Sequence, residues 1–92
     1  MAMVPMTPIE VRVRCGWFDG RPRSIQLDHQ EVPVLRIEQV RHERAAYVAA
    51  RGPRTVFDVR TPGARLRLSF EHRRRRWLLE ALDARQPLSR AA

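Results

Sequence analysis

The chain has 92 residues, enough for one small domain and too few for separate catalytic and regulatory halves. Its formal net charge is +8 and all 18 basic residues are arginine, which favours an acidic partner. A GC-rich genome replaces lysine with arginine whatever the function, so this expectation depends on the net charge and not on the missing lysine. No stretch approaches the roughly 20 apolar residues of a membrane span, so we expect no membrane partner.

The first residues and the cysteine content bear on the compartment. Residues 1–8, MAMVPMTP, lack the cationic and long apolar regions of a secretory signal, and we expect them to form a flexible lead-in. Cys15 is the only cysteine, so no internal disulfide can form. A reducing, cytoplasmic setting follows as the expectation.

The first part of the chain predicts a β-hairpin. Apolar and polar residues alternate over residues 9–15, which indicates a half-buried strand with one wet face. Asp19 and Gly20 supply the positive φ angles of a tight turn. Pro22 then opens a second strand, whose residues 24–27 bury the isoleucine and the leucine.

A third strand is predicted over residues 32–40, with an irregularity inside it. Its apolar phase runs through Val34 and then slips by one residue to Leu35, which indicates a β-bulge or a switch between two packed faces. Residues 41–51 contain good helix formers and precede Gly52, a natural helix stop, so we expect one short helical segment there.

Two more strands and an ambiguous segment follow. Residues 54–61 and 64–70 both alternate in polarity, and the proline and glycine between them have the signature of a type II turn. Residues 74–86 include RWLLEALD, which fits a strand that is apolar on both faces and also has high helix propensity. We favour the strand, and a C-terminal helix over these residues is the alternative.

These elements predict an all-β domain over residues 9–84. Five or six short strands with turn signals every 8–15 residues are typical of an antiparallel meander curled into a barrel or half-barrel. With a C-terminal helix over residues 74–86 the class would be α+β. Residues 85–92 are expected to form a flexible tail.

Several short motifs occur along the chain in a characteristic order. They are Asp19-Gly20-Arg21-Pro22, Ile25, Val32-Pro33-Val34 with Ile37, Phe57-Asp58-Val59, Leu66-Arg67-Leu68, and Trp77-Leu78-Leu79 with Asp83. In this order the chain resembles a family of small bacterial β-domains of unknown function, found alone or attached to inactive relatives of Y-family translesion polymerases. The resemblance implies a β-fold and a loose association with DNA repair or damage tolerance. It implies no activity and no catalytic residues.

The residues that usually carry catalysis or metal binding form no motif. His29, His42, His72 and Cys15 are scattered, without the spacing of a metal site, so we expect no metal or cofactor. Cys15 continues the buried phase of its strand, which indicates a small core residue rather than a nucleophile. Ser69 and His72 point to opposite faces of a strand, and most acidic residues stand beside arginines as solvated ion pairs. We therefore expect neither an enzyme nor a small-molecule substrate.

The arginines provide a better case for binding. If residues 9–15 and 64–70 share a sheet, their outward arginines form a basic stripe. The predicted phosphate contacts are Arg12, Arg14, Arg65, Arg67, Arg73, Arg74, Arg75 and Arg76. Trp17 and Phe18 stand at the first hairpin tip and are predicted to stack on a base or contact a partner.

The arginine run has a structural interpretation as well. Phe70 closes one strand and Trp77 opens the next, so residues 71–76 are predicted to span a hairpin turn, with Trp77 in the core. Outward arginines also keep a thin β-protein in solution and blunt its sheet edges, without any ligand.

Two functions remain open from the sequence. The first is a non-enzymatic accessory module that binds nucleic acid without sequence preference. The alternative is a protein-interaction adaptor or homodimerising domain with no affinity for nucleic acid, which would use an exposed sheet edge or the aromatic hairpin tip.

Overall fold

A computed structural model of the protein describes residues 3–43 and 52–84. Its secondary structure consists of seven antiparallel strands, which are β1 (Val4–Cys15), β2 (Pro22–Leu27), β3 (Gln30–Pro33), β4 (Arg36–Glu43), β5 (Arg54–Thr61), β6 (Ala64–Glu71) and β7 (Arg76–Ala84). The predicted all-β class and half-barrel are confirmed. No helix able to cross a membrane occurs within these two ranges.

The strands form one sheet in the order β3-β2-β1-β7-β6-β5-β4, and its two edges are consecutive in the chain. Only Val34 and Leu35 connect β3 to β4. The Val34 amide donates to the Arg23 carbonyl of β2 at 2.8 Å, and the Leu35 amide donates to the Arg60 carbonyl of β5 at 2.7 Å. Val34 and Leu35 are adjacent in the chain, but they bond to strands next to opposite edges of the sheet. The sheet must therefore curl to bring those edges together. The one-residue shift of the apolar pattern that is predicted after Val34 falls at this crossing, the connection between β3 and β4.

Strand β1 makes a second crossing. Its first part pairs with β7, from Val4 opposite Leu82 to Val11 opposite Trp77, while residues 12–15 pair with β2. The half-barrel therefore has two layers. The large layer comprises residues 4–11 of β1 with β7, β6, β5 and β4, and the small layer comprises residues 12–15 with β2 and β3. Strands that switch between sheets make the corners of such folds.

The core lies between the layers. Its buried side chains are Ile25, Phe57, Val59, Ala64, Leu66, Leu68 and Leu79. Trp77 packs against this cluster, with its ring centroid 5.4 Å from that of Phe57 and 5.1 Å from that of Phe70. The predicted core position of Trp77 is therefore confirmed.

Several sequence-based boundaries need correction. β1 begins at Val4, so residues 4–8, predicted as a lead-in, belong to the sheet; prolines are tolerated there because this part of β1 pairs on one side only. The predicted third strand is split at its crossing, which raises the strand count to seven. Residues 41–43 of the expected helical segment belong to β4, and residues 44–51 lie outside the described ranges.

The alternative of a C-terminal helix over residues 74–86 is wrong for residues 76–84, which form β7. Leu79 packs in the core, while Leu78 and Ala81 are also buried. A strand buried on both faces satisfies its backbone with β1 and β6, and that pairing overrides the helix propensity of the segment. Residues 85 and 86 lie outside the described ranges.

Substitution of Leu66 tests the assigned core. Leu66 is fully buried, so Leu66→Ala should cost about 2–5 kcal/mol, a large share of the stability of a small domain. Leu35, which is 60% exposed, provides the matched control, and Leu35→Ala should change stability by no more than about 0.5 kcal/mol. Urea unfolding followed by circular dichroism would measure both. Equal losses would contradict the assigned core.

Candidate nucleic-acid interface

The outer face of the large layer holds charged residues that pair with one another across strands. Glu43, Arg54, Glu71 and Arg76 stand opposite one another on β4, β5, β6 and β7, so the sign alternates along the row. Arg54 lies 2.8 Å from Glu43 and also contacts Glu80 of β7. Arg76 Nε lies 2.6 Å from Glu71 Oε1, and Glu71 is almost completely buried.

A second pair lies further along the same face. Arg67 Nε donates to Asp58 Oδ1 at 2.8 Å, and its Nη2 donates to Oδ2 at 3.3 Å. The two residues are opposite in register, and Asp58 is 5% exposed. A bidentate pair in this position satisfies both carboxylate oxygens and fixes the guanidinium plane. Asp58 therefore does not pair with Arg60, its neighbour in sequence.

Glu38 contacts three arginines in a second cross-strand row, at the other end of β4, β5 and β6. Arg36, Arg60 and Arg65 stand opposite one another, an arrangement that is unfavourable for like charges. Glu38 is the extra residue of a bulge, because Ile37 pairs with Val59 and Gln39 pairs with Asp58. Its carboxylate lies 2.8 Å from Arg65, 3.3 Å from Arg60 and 3.5 Å from Arg36.

These residues define what we call the charge lattice. Its carboxylates are Glu38, Glu43, Asp58, Glu71, Glu80 and Asp83, and its arginines are Arg36, Arg41, Arg54, Arg60, Arg65, Arg67 and Arg76. Six of the ten acidic residues of the chain are used here. The lattice is therefore close to neutral despite its seven arginines.

The charge lattice bears on two predictions from the sequence, the phosphate contacts and the solvated ion pairs. Arg65, Arg67 and Arg76, predicted to contact phosphates, are each bound to carboxylates on the protein. The prediction that acidic residues form solvated pairs is wrong for Asp58 and Glu71, which are 5% and 1% exposed. Cross-strand neighbours, which sequence adjacency does not reveal, cover these carboxylates.

The outer face of the small layer is organised differently. It forms a groove of about 350 Å³, lined by Arg12, Val13, Arg14, Ser24, Gln26 and Glu31. Ser24 donates its hydroxyl to Glu31 Oε2 at 2.7 Å, and the same oxygen lies 3.9 Å from Arg14. The Arg14 side chain is 77% exposed. Arg12 has no carboxylate within ion-pair distance among the described residues.

The tip of the β1–β2 hairpin presents two aromatic rings to solvent. Trp17 and Phe18 are 87% and 90% exposed, and their rings stack with centroids 4.6 Å apart at an interplanar angle of 26°. Both rings belong to a turn that carries arginines on its second arm. Large exposed apolar side chains next to positive charge are typical of ligand contacts.

The turn below these rings is tightly bonded. The Gly20 amide donates to the Gly16 carbonyl and the Gly16 amide donates to the Arg21 carbonyl, both at 2.8 Å, and the Arg21 amide donates to Asp19 Oδ1 at 3.0 Å. That amide is the main cause that holds the pKa of Asp19 below its usual range. A Cβ on Gly16 would come 2.6 Å from Asp19 Oδ1, and Gly20 has the predicted positive φ, +66°. The rings are therefore held by a defined backbone.

The arginine run divides into residues with different surroundings. Residues 72–75 form the predicted hairpin turn, in which the Arg75 amide donates to the Glu71 carbonyl at 2.7 Å. The Arg73 side chain lies against Gly52, where a Cβ would come 3.0 Å from its Nε. Arg74 and Arg75 are exposed and have no carboxylate partner among the described residues.

Two of the histidines are closer than the sequence indicated. The Thr55 hydroxyl lies 3.2 Å from His42 Nδ1 and 2.7 Å from His72 Nε2, so two histidines that are far apart in the sequence share one hydrogen-bond partner. Cross-strand pairing of β4 with β5 brings them together. Within the described ranges, no three His, Cys, Asp or Glu side chains form a group suited to a metal ion. Burial, followed by the charge of Asp19, raises the pKa of the half-buried Cys15 thiol.

Comparison of the chain with protein-family models, with curated proteins and with solved structures finds no match. Inferences about function therefore depend on the residues themselves. The predicted phosphate contacts fall on three surfaces: the charge lattice, the small layer and the β6–β7 turn. Arg21, Arg23 and Arg36 were not predicted, although Arg21 lies in the same turn as the aromatic pair and could have been included on that ground.

Replacement of Glu38 tests the charge lattice. Hydrogen bonds from Arg65 and then from Arg60 hold the pKa of Glu38 below its ordinary value of 4.5. Its contribution to stability is therefore present above that value and is lost as the pH falls through the lower folded-state pKa. Glu38→Gln should lower the Tm by about 4 °C at about pH 7 and by much less at about pH 3.

Glu31→Gln is the control, because the one ion pair of this exposed carboxylate among the described residues is the long contact with Arg14, and a glutamine oxygen can still accept from Ser24. Its Tm should stay within about 1 °C of the parent protein. A Glu38→Gln effect that is equally large at both pH values, or that Glu31→Gln reproduces, would show that the lattice charges do not act as described.

Proposed function

We propose that this chain is a non-enzymatic module that binds single-stranded nucleic acid without sequence preference. The contacts are the aromatic pair at the hairpin tip and the arginines outside the charge lattice. The observation that supports this most is the pair Trp17 and Phe18, stacked on each other and almost fully exposed on a bonded turn. Such a pair has no evident role in the core of a domain this small.

The distribution of carboxylates supports a phosphate-binding role for the small layer and the turns. Within residues 3–43 and 52–84, the arginines there that lack a carboxylate within 4 Å are Arg12, Arg21, Arg74 and Arg75. The carboxylates that Arg14 and Arg23 contact in the same ranges are exposed, at 3.9 Å and 3.4 Å. Exchanging such long, solvated pairs for phosphate costs little, whereas moving Arg67 to a phosphate would break its bidentate pair with the buried Asp58.

The aromatic pair favours single strands over duplex. An unpaired base offers a free π face, and stacking on a protein aromatic contributes about 1–3 kcal/mol per base. Bases inside a duplex are already stacked on their neighbours. Stacking and guanidinium–phosphate contacts are available from every nucleotide, so little sequence preference is expected. An accessory role in DNA-damage tolerance rests on the family resemblance alone.

Fluorescence anisotropy with labelled oligothymidylate of about 15 nucleotides tests the proposal. With about four to six phosphates neutralised, log K should fall with log salt at a slope of about −3 to −4. Trp17→Ala with Phe18→Ala should weaken binding at least about tenfold, from loss of stacking. Arg12→Ala with Arg14→Ala should weaken binding and also flatten the salt slope.

Arg60→Gln is the matched control, because Arg60 is a lattice residue that pairs with Glu38. It should lower stability and leave the affinity of the folded protein within about twofold of the parent. No binding to DNA or RNA single strands at low salt would contradict the proposal. So would an Arg60→Gln loss as large as that of the Arg12 and Arg14 variants.

The protein-interaction alternative uses the same tip, because Trp17, Phe18 and the exposed Leu35 are apolar. Sedimentation equilibrium distinguishes the two functions. A salt-resistant dimer that the Trp17→Ala, Phe18→Ala variant abolishes, together with no affinity for oligonucleotides, would favour the alternative.

A further inference from the structure

A second cleft lies beside the aromatic tip. It has a volume of about 220 Å³ and is lined by Asp19, Arg21, Pro22, Arg23, Val34, Leu35, Arg36 and Ile37. These residues come from the β1–β2 hairpin on one side and from the β3–β4 crossing on the other. Ligand sites for drug-sized molecules begin at about 300 Å³, so the cleft suits a compact anion better than a whole nucleotide.

Three arginines line this cleft, and their present ion pairs are weak. Arg21 has no carboxylate within 4 Å among the described residues. Arg23 lies 3.4 Å from Asp19, and Arg36 lies 3.5 Å from Glu38, with both guanidinium side chains about two-thirds exposed. Arg36 is itself a member of the charge lattice, but its contact is longer and more exposed than those of Arg67 and Arg76, which are 2.8 Å and 2.6 Å.

The carboxylates that would be released keep other partners. Glu38 remains bonded to Arg65 at 2.8 Å and to Arg60 at 3.3 Å when Arg36 turns away. Asp19 keeps the hydrogen bond from the Arg21 amide. An anion can therefore take Arg23 and Arg36 without leaving a carboxylate unsatisfied.

The walls of the cleft are fixed before any ligand arrives. The Val34 amide donates to the Arg23 carbonyl, the Leu35 amide donates to the Arg60 carbonyl, and Pro22 is fully buried. Only side chains need to be ordered on binding, which lowers the entropic cost of association.

We infer that this cleft binds the terminal phosphate of a nucleic-acid strand whose end base stacks on Trp17 and Phe18. The inference rests on the proposed single-strand binding and names the part of the strand that is recognised. A terminal phosphate carries a charge of about −1.5 to −2 and three acceptor oxygens, so it can engage three guanidinium groups, whereas an internal phosphodiester carries about −1. Phe18 and Arg21 belong to the same turn, which places stacking and phosphate contacts on one element.

The test compares oligothymidylates that bear a 5′-phosphate, a 3′-phosphate or no terminal phosphate, at equal ionic strength. One phosphorylated form should bind about tenfold more tightly than the unphosphorylated one, which also identifies the end that is recognised. Arg21→Ala with Arg36→Ala should abolish this preference. Arg12→Ala with Arg14→Ala is the matched control and should lower the affinity for all three oligonucleotides by the same factor.

A variant with the opposite expectation guards against simple loss of folding. Asp19→Asn keeps the oxygen that accepts from the Arg21 amide and removes the negative charge from the cleft. It should strengthen the preference for the phosphorylated oligonucleotide several-fold, about the effect of one removed like charge. A preference that Asp19→Asn leaves unchanged or reduces would contradict a phosphate in this cleft.

Inorganic phosphate alone, followed by backbone amide chemical shifts, separates this inference from the proposed function. Shifts at Arg23 and Leu35 that the Arg21→Ala, Arg36→Ala variant lacks would support the cleft even if no oligonucleotide bound. Unphosphorylated oligonucleotide binding that depends on Trp17, with no preference for a terminal phosphate, would overturn the inference and leave the proposed function standing.

Discussion

The two-residue connection between β3 and β4 determines the shape of the molecule. The Val34 amide bonds to β2 and the Leu35 amide bonds to β5, and these two strands lie next to opposite edges of the sheet. Two adjacent residues therefore hold the two edges of the sheet close together. A flat seven-stranded sheet cannot satisfy both bonds, because neighbouring strands are about 4.8 Å apart. The sheet therefore curls, its apolar faces meet inside, and its outer surface divides into a large and a small layer. The same crossing forms one wall of the cleft that Arg21, Arg23 and Arg36 line.

The curled sheet alone does not decide where an acidic ligand would bind; the positions of the carboxylates do. Seven of the ten acidic residues lie on strands of the large layer, and among the described residues bulges and cross-strand pairing bring all of them except Glu10 onto arginines. Glu38 in its bulge contacts three arginines that face one another across the strands, and Glu80 is the extra residue of another bulge on β7. Among the described residues, the arginines without a short carboxylate contact therefore lie mainly on the small layer, the β1–β2 hairpin and the β6–β7 turn. The basic stripe expected from a shared sheet face is interrupted, because Arg12 and Arg14 pair with β2 while Arg65 and Arg67 contact carboxylates.

Periodicity predicted the fold well because it reports which face of a strand is buried. Strand β5 has its predicted bounds, the slip after Val34 marks the crossing, and the arginine run forms a turn. It predicted the site less well, because a pairing partner depends on register, which a single bulge shifts by one residue. Asp58 pairs with Arg67 across the regular β5–β6 hairpin and not with its sequence neighbour Arg60, and His42 and His72 both lie within hydrogen-bond distance of Thr55. The start of β1 was missed because prolines in residues 4–8 indicate a lead-in, although an edge position accepts them.

We propose that the lattice arginines other than Arg36 are unavailable to phosphate, whereas the arginines of the small layer and the β1–β2 hairpin are available. Arginine side-chain Nε–Hε resonances, recorded during a titration with oligothymidylate at low salt, test it most directly. We predict shifts for Arg12, Arg14, Arg21 and Arg23, with Arg60, Arg65 and Arg67 unchanged. Shifts at Arg65 and Arg67 of the same size as those at Arg12 and Arg14 would contradict the account.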